Sequence, residues 1–487
     1  MAHEIIANVG TTCLHINIPR GHSMYSPLAN FLRRKATIWQ FEHKWRKWIM
    51  VGEVYTYNPL TGSLRVPVGY LPKIQEVLAE HNCQLTTIPN YSIDPRLIDL
   101  TLRPGVSPRP HQVKPIEYFT SQEYQPRRGF ELQTGKGKTF ISIASIVKMG
   151  YSSLIICSGL TEQWIDKLHE YVEDVDVYLI QSRKSLDKLF ESQVIPQVFV
   201  GSLATLRLWA MQLREYNNLP MTYAQFLDNY GIGIKVVDEC HLNIEAVCIL
   251  DLFSNVRHNW YISATFHRKT PHLDTIFDTV YPPSIRLTGM IYDKYTELHY
   301  VYYYSGVNPR KTVTNRGYNH PRFEGQLLKF ITKYNHLVRV IVAKQLEYRF
   351  VNIRRPDQRA LIFVSTVIIA EKVRESLTEL FPSLRVVTFL GNDEDTKCLT
   401  GDVIISVPRK AGTGKDIPGL LTVINTVSMG TAEGIEQMFG RLRKFSNGDT
   451  PHFVQLVDKD NTAQQNHAKI HKDICIPRSI RYTEISE

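Results

Sequence analysis

Glu131-Leu132-Gln133-Thr134-Gly135-Lys136-Gly137-Lys138-Thr139 runs straight into Phe140-Ile141-Ser142-Ile143-Ala144-Ser145-Ile146-Val147-Lys148, a stretch with the look of a helix. Glycines let a backbone curl so that successive N–H groups point inward and cradle a phosphate chain, and a helix that follows adds the positive end of its dipole. On that reading Thr134, Gly135, Lys136 and Gly137 line the loop. Lys138 reaches the β and γ phosphates of ATP, and the Thr139 hydroxyl ligates Mg2+. Leu132 stands where the general pattern has its first glycine, and a glycine turn with two solvated lysines is the plain alternative. The surrounding chain decides between them.

From about Val106 strands alternate with helices, as a parallel α/β sheet requires. Arg109-Pro110-His111-Gln112 opens the series, where Arg109 and Gln112 could bracket an adenine. Ser153-Leu154-Ile155-Ile156-Cys157-Ser158 and Val198 to Thr205 read as strands with small polar ends, so Ser158, Ser202 and Thr205 could hold a nucleic-acid backbone. Ile234-Lys235-Val236-Val237-Asp238-Glu239-Cys240-His241 delivers two acids at the carboxyl end of a strand, where ligands sit in open α/β sheets. Asp238 would hold Mg2+ through its water shell, and Glu239 would orient or deprotonate the water that attacks the γ-phosphate. Tyr261-Ile262-Ser263-Ala264-Thr265 follows; its hydroxyls could bond His241 and relay nucleotide state.

Thr296 to Tyr304 reads as a strand leading out of this domain, and Phe323 to Phe350 has helical periodicity. A second α/β series then begins at Ala360-Leu361-Ile362-Phe363-Val364-Ser365. It continues through Leu384 to Phe389, Asp402 to Val407, Gly412-Thr413-Gly414-Lys415-Asp416 and Gln437-Met438-Phe439-Gly440-Arg441-Leu442-Arg443-Lys444.

The 487 residues leave room for roughly two to four domains. A net charge of +10 suits a polyanionic partner. No apolar run is long enough to cross a bilayer, and the start lacks the layout of a secretion signal. Seven scattered cysteines give no zinc or disulfide spacing, so a reducing cytoplasm and no structural metal are expected.

Residues 1–100 read as a small α+β accessory domain, with strands over 46–57 and 63–68 and a helix from Leu71 to Asn82. Arg33, Arg34 and Lys35 precede Trp39, Trp45, Lys47 and Trp48, half of the six tryptophans. Basic groups neutralise phosphates and aromatic faces stack on bases, so Arg33, Arg34, Lys35, Trp45 and Lys47 form a candidate DNA surface. Packing of Trp48 and Met50 as ordinary core explains the alternation equally well. Pro89 to Pro110, with five prolines, reads as the connector.

Gln-Thr-Gly-Lys-Gly-Lys-Thr, Asp-Glu-Cys-His and Ser-Ala-Thr, in that order and spacing, resemble motifs I, II and III of superfamily 2 helicases. Arg109 and Gln112 match that family's adenine-recognition pattern, while Cys157-Ser158 replaces its usual Pro-Thr. Ser365 falls in a motif IV-like strand. Thr413, Gly414 and Asp416 fall in motif V, which faces both nucleotide and nucleic acid. Gln437, Gly440 and Arg441 fall on motif VI. Lys444 occupies the usual arginine-finger position with Arg443 one residue before it, and Arg443 is the expected finger because lysine lacks the planar fork. The layout is most similar to the phage UvsW-type branch-migration helicases.

The resemblance implies two tandem RecA-like parallel-sheet domains behind the N-terminal α+β domain, over 1–100, 101–285 and 286–487. It implies an Mg2+- and ATP-dependent DNA helicase or translocase, with Lys138, Asp238, Glu239, Arg441 and Arg443 at the γ-phosphate. Forked or junction DNA, branched or partly single-stranded, is the expected partner, with possible replication or recombination proteins and a cytoplasmic location. An RNA helicase, a translocating subunit without strand separation, and a binding scaffold with a decayed motor remain the alternatives.

Overall fold

The computed structural model describes residues 3–42, 47–90, 94–121, 123, 125–132, 136–159, 161–192, 194–264, 266, 271–288, 294–314, 317–391, 393–411 and 417–487. The chain divides into two compact units, Met1–Phe41 with Trp48–Met290, and Glu42–Lys47 with Ile291–Glu487.

In the first unit, seven parallel strands lie in the order Val177–Ile180, Val198–Ser202, Ser153–Cys157, Ile234–Val237, His258–Ser263, Arg127–Glu131, Arg286–Leu287. The central strands are buried along their whole length, as expected for a parallel sheet with helices on both faces. This is why Leu154-Ile155-Ile156 reads as an unbroken apolar run. The helix Lys138–Met149 stops at Gly150, whose φ of 65° is the left-handed turn that glycine supplies at helix ends.

The N-terminal strands form a separate mixed sheet, ordered Thr56–Asn58, Ser63–Pro67, Cys13–Asn17, His3–Val9, Cys83–Pro89. It is backed by the helices Tyr25–Lys35 and Leu71–Ala79. One continuous apolar core joins this sheet to one face of the first parallel sheet. At that junction Thr12 Oγ1 donates to the carbonyls of Asp251 and Ser254 (2.8 and 2.9 Å), and Arg65 Nη1 donates to Leu252 O (3.0 Å). Beneath it Lys235 Nζ and Asp251 Oδ1 form a buried ion pair at 2.6 Å, and the Tyr261 hydroxyl donates to Asp251 Oδ2 at 2.8 Å. Among the described residues the strand Lys47–Glu53 pairs with Thr37–Glu42 alone. Trp48 and Met50 are 60% and 56% exposed, so they are not core. The connector is not loose either: Arg96 Nη2 donates to Ser152 Oγ at 3.0 Å, and Leu97 and Leu102 bridge to Tyr151 and Val172.

The second unit carries another seven-stranded parallel sheet, ordered Val386–Phe389, Val403–Ser406, Arg359–Phe363, Leu420–Asn425, His452–Asp458, Thr296–Tyr303, Ser479–Ser486. Thr296–Tyr303 is therefore an interior strand of this sheet, rather than a segment leading out of the first. Its alternation of Leu298, Tyr300 and Val301 buries both faces. The periodic stretch from Phe323 resolves into a helix His320–Leu328 and a second from Ile331 that passes through wide, i→i+5 turns over His336–Val342 and Glu347–Val351. Glu324, 2% exposed, accepts from Ser365 N (2.6 Å) and Thr366 Oγ1 (3.0 Å), fixing the turn between Arg359–Phe363 and the helix Val367–Leu380. All seven cysteines are buried. Among the described residues no helix is long and apolar enough to cross a membrane.

Two expectations follow. A Cβ on Gly69 would stand 1.8 Å from the Thr279 carbonyl oxygen, which is backbone and cannot rotate away. Gly69→Ala should therefore strain the junction of the N-terminal and first parallel sheets by about 1–3 kcal/mol, read as a lower Tm. Burial pushes the Glu324 carboxyl from 4.5 up to about 7, against the pull of its Ser365 and Thr366 donors. The stability contributed by the neutral acid is full below pH 4.5 and lost as pH rises through about 7. Glu324→Gln mimics the neutral form and should flatten that fall, with a relative gain on the order of 2–3 kcal/mol at about pH 8 in thermal melts across pH.

Candidate nucleotide and nucleic-acid site

Gly137 ends the loop expected to cradle phosphate with φ of 87°, and a Cβ there would sit 2.2 Å from Gln112 Nε2, so only glycine fits both the turn and its neighbour. Lys138 and Thr139 open the helix that follows. Gln133, Thr134 and Gly135 lie outside the described residues. Lys136 O accepts from both His111 Nε2 (3.1 Å) and Gln112 Nε2 (3.2 Å), while Gln112 Oε1 accepts from Arg109 N at 2.9 Å. Both ends of the Gln112 amide are thus engaged within the chain, and Arg109 itself is exposed. Pro110, with its φ preset, starts the helix Pro110–Phe119 that carries Gln112 inward.

Strand Ile234–Val237 delivers Asp238 and Glu239 at its carboxyl end. Lys138 Nζ is ion-paired with Glu239 Oε1. Asp238 Oδ2 instead accepts from the indole Nε1 of Trp164 at 3.0 Å. Glu239 has φ of 47°, a left-handed conformation that costs a non-glycine residue energy and that clusters at functional sites. His241 Nδ1 lies 3.2 Å from Glu239 Oε2 and 2.8 Å from Ser263 Oγ. Two backbone bonds brace the same corner: Cys240 N donates to Ile262 O (3.1 Å) and Leu132 N to Ser263 O (3.0 Å). Lys138, Glu239, His241 and Ser263 are therefore one connected chain. Thr265 lies outside the described residues.

The two acids are held in different states. Burial, then repulsion from Glu239, pushes the Asp238 carboxyl up to about 6. Burial acts on Glu239 in the same direction, but the Lys138 ammonium and His241 outweigh it and hold that carboxyl below the ordinary range. A carboxylate oxygen from Asp238 and a hydroxyl from Thr139 are hard donors of the kind Mg2+ takes. The strained turn at Glu239, the raised acid and the glycine turn all fit a metal–triphosphate.

In the second unit, Arg441 is buried, with Nε donating to Gln437 O at 3.3 Å. The Arg443 guanidinium folds back on its own turn, onto Gly440 O and Leu442 O, and Lys444 is exposed. Thr413, Gly414 and Asp416 lie outside the described residues. Of the residues expected at a nucleic-acid backbone, Ser158 is exposed and Ser202 half-buried at the strand end. Thr205 is only 6% exposed, turned into the core by the helix Leu203–Ala210, and presents no hydroxyl to a strand. Ser365 is half-buried, with its backbone N–H committed to Glu324. Arg33, Arg34 and Lys35 are exposed on the last turn of Tyr25–Lys35, as are Lys47 and Trp48 on the neighbouring strand; Trp45 lies outside the described residues. Trp164, His111 and Glu324 carry roles that sequence reasoning missed. For Trp164 the signal was its place in the first turn after a central strand.

No protein-family model matches the chain, and no curated protein sequence matches it. Solved structures do. The chain is similar to the ATP-dependent Type ISP restriction-modification enzyme LlaBIII bound to DNA, at 12% identity and a TM-score of 0.55, over 78% of this chain and 31% of that one. It thus spans under a third of that enzyme's length. It is also similar to S. cerevisiae Dbp5 bound to RNA and ADP BeF3 (17% identity, TM-score 0.49, 78% and 90% covered) and to T4 UvsW (14%, 0.36, 99% of both). The likeness to the restriction-modification enzyme is one of fold.

Proposed function

We propose that this protein is a DNA helicase or translocase driven by Mg–ATP, which unwinds or branch-migrates forked and junction DNA in phage-type replication, recombination or repair. The observation that carries the reading is the Lys138–Glu239 pair beside the protonatable Asp238. A nucleotide γ-phosphate would compete with Glu239 for the Lys138 ammonium. Once Lys138 moves to phosphate, Glu239 loses its counter-ion and gains basicity towards a water beside it. The His241 and Ser263 contacts then keep the carboxylate oriented while it holds or takes the proton. Thr139 and Asp238 would hold Mg2+, which when bound offsets charge on the phosphate oxygens. Arg441 and Arg443 are assigned to the γ-phosphate by their place in the motif order.

The DNA side rests on Arg33, Arg34, Lys35 and Lys47 as phosphate partners and on the exposed Trp48 as a stacking face, with the +10 net charge in support. Domains over 1–100, 101–285 and 286–487 are assigned to DNA engagement and to the two halves of the motor.

The test is ATP hydrolysis by the wild type and Lys138→Ala with no nucleic acid, a four-way DNA junction, duplex, single-stranded DNA or RNA. Strongest stimulation by the junction, reduced about 100-fold or more in the variant, is the expected result. Greater stimulation by RNA would replace DNA as substrate, and hydrolysis indifferent to every nucleic acid would overturn the reading. Trp48→Ala should weaken single-stranded DNA binding about 5- to 100-fold in fluorescence anisotropy, the value of one stacked base.

A further inference from the structure

At the amino ends of two neighbouring strands of the second parallel sheet, three metal-ligating side chains converge. Glu297 and His299 alternate on Thr296–Tyr303 and so share a face, and His452 opens His452–Asp458 directly opposite Glu297. His299 Nε2 is 3.1 Å from His452 Nδ1. Glu297 Oε2 is 3.9 Å from the first nitrogen and 3.8 Å from the second. Three points with these separations lie on a circle of radius about 2.1 Å, the length of a zinc–imidazole or zinc–carboxylate bond. A single ion can therefore reach all three atoms without moving the backbone. The side chains are 14%, 3% and 13% exposed for Glu297, His299 and His452, so two imidazoles and a carboxylate are brought out of water together.

We propose that Glu297, His299 and His452 bind one divalent transition-metal ion of the zinc type, through Oε2, Nε2 and Nδ1, with a fourth position left for water. Two nitrogen donors select against Mg2+ and Ca2+, which take oxygen. The second nitrogen of the central imidazole is already oriented: His299 Nδ1 is 2.8 Å from Thr483 Oγ1, the outer support that metal-bound histidines have. Arg481 Nη2 bridges both Glu297 oxygens at 2.8 and 3.0 Å and is the competitor for the carboxylate. Its side chain is 67% exposed and can yield Oε2 at little cost while keeping Oε1. The site lies at the end of the sheet opposite the strand ends that carry motif residues, which suits a clip between strands. The two histidines are 153 residues apart in the chain, so no linear metal spacing announces the site.

The experiment is equilibrium dialysis of the full chain against ZnCl2 with metal analysis, together with thermal melts with and without zinc and the visible spectrum of the cobalt-loaded protein. One zinc per chain, a zinc-dependent rise in Tm and the d–d bands of a tetrahedral N/O site are expected. Glu297→Gln and His452→Gln should abolish stoichiometric binding, and Thr483→Val should weaken it about 10- to 100-fold. Arg481→Ala alters an exposed side chain and should tighten binding by freeing Glu297. No stoichiometric zinc in the wild type, or binding unchanged in Glu297→Gln and Arg481→Ala, would leave the cluster as a hydrogen-bonded histidine pair and overturn the proposal.

Discussion

One ammonium facing two adjacent carboxylates sets the geometry of the first unit. Lys138 can neutralise only one acid, and it takes Glu239, whose left-handed backbone turns it out of line with the strand. That conformation costs on the order of 1–3 kcal/mol, offset here by the ion pair and by His241. Asp238 accepts from the Trp164 indole, and burial together with repulsion from Glu239 outweighs that bond and the more distant pull of Lys138, which raises its carboxyl. The helix Lys138–Met149, the central strand and the helix Thr161–Tyr171 are thereby tied to one electrostatic arrangement.

The acid pair is also linked to the N-terminal sheet by chain continuity. Five residues beyond Glu239 the helix Ile244–Leu252 begins, and its end carries Asp251, the acid of the buried pair with Lys235. Thr12 and Arg65 hydrogen-bond to the backbone of that same helix end. Removing one partner of a buried pair leaves an uncompensated charge, so the pair also fixes this helix against the sheet. The N-terminal strands are built onto the first parallel sheet through a shared core, and one short helix lies between Asp238–His241 and that junction.

What the sequence revealed was local in the chain. Unbroken apolar strands, a glycine loop before a helix and Asp-Glu at a strand end are contiguous features, because a parallel sheet buries whole strands and gathers function at their carboxyl ends. The partners of those residues were not legible. Lys138 meets Glu239 from 101 positions away, and Trp164 meets Asp238 from 74. The alternation around Trp48 is the period of any strand, and it carries no mark of whether a sheet lies beneath one face. The i→i+5 turns over His336–Val342 leave helical periodicity nearly intact, so the sequence shows the periodicity of Phe323 to Phe350 without the widened turns.

The hydroxyls assigned to a nucleic-acid backbone separate on electrostatic grounds. A phosphate at the start of a helix draws on free N–H groups and the positive dipole end. Just before the helix Val367–Leu380, the Ser365 N–H and the Thr366 hydroxyl already serve Glu324, a carboxyl from another helix, and Thr366 Oγ1 caps the Ile369 N–H. As the Glu324 carboxyl ionises above about pH 7, it would repel a phosphate. Thr205 is removed by burial. Ser202 has neither obstacle: it precedes the helix Leu203–Ala210 and makes no side-chain cap bond to it. Ser158, exposed at the end of the adjacent strand Ser153–Cys157, stands next to it in the sheet order. Of the hydroxyls expected at a nucleic-acid backbone, Ser158 and Ser202 are thus the two described ones that sit at neighbouring strand ends, away from both the core and Glu324.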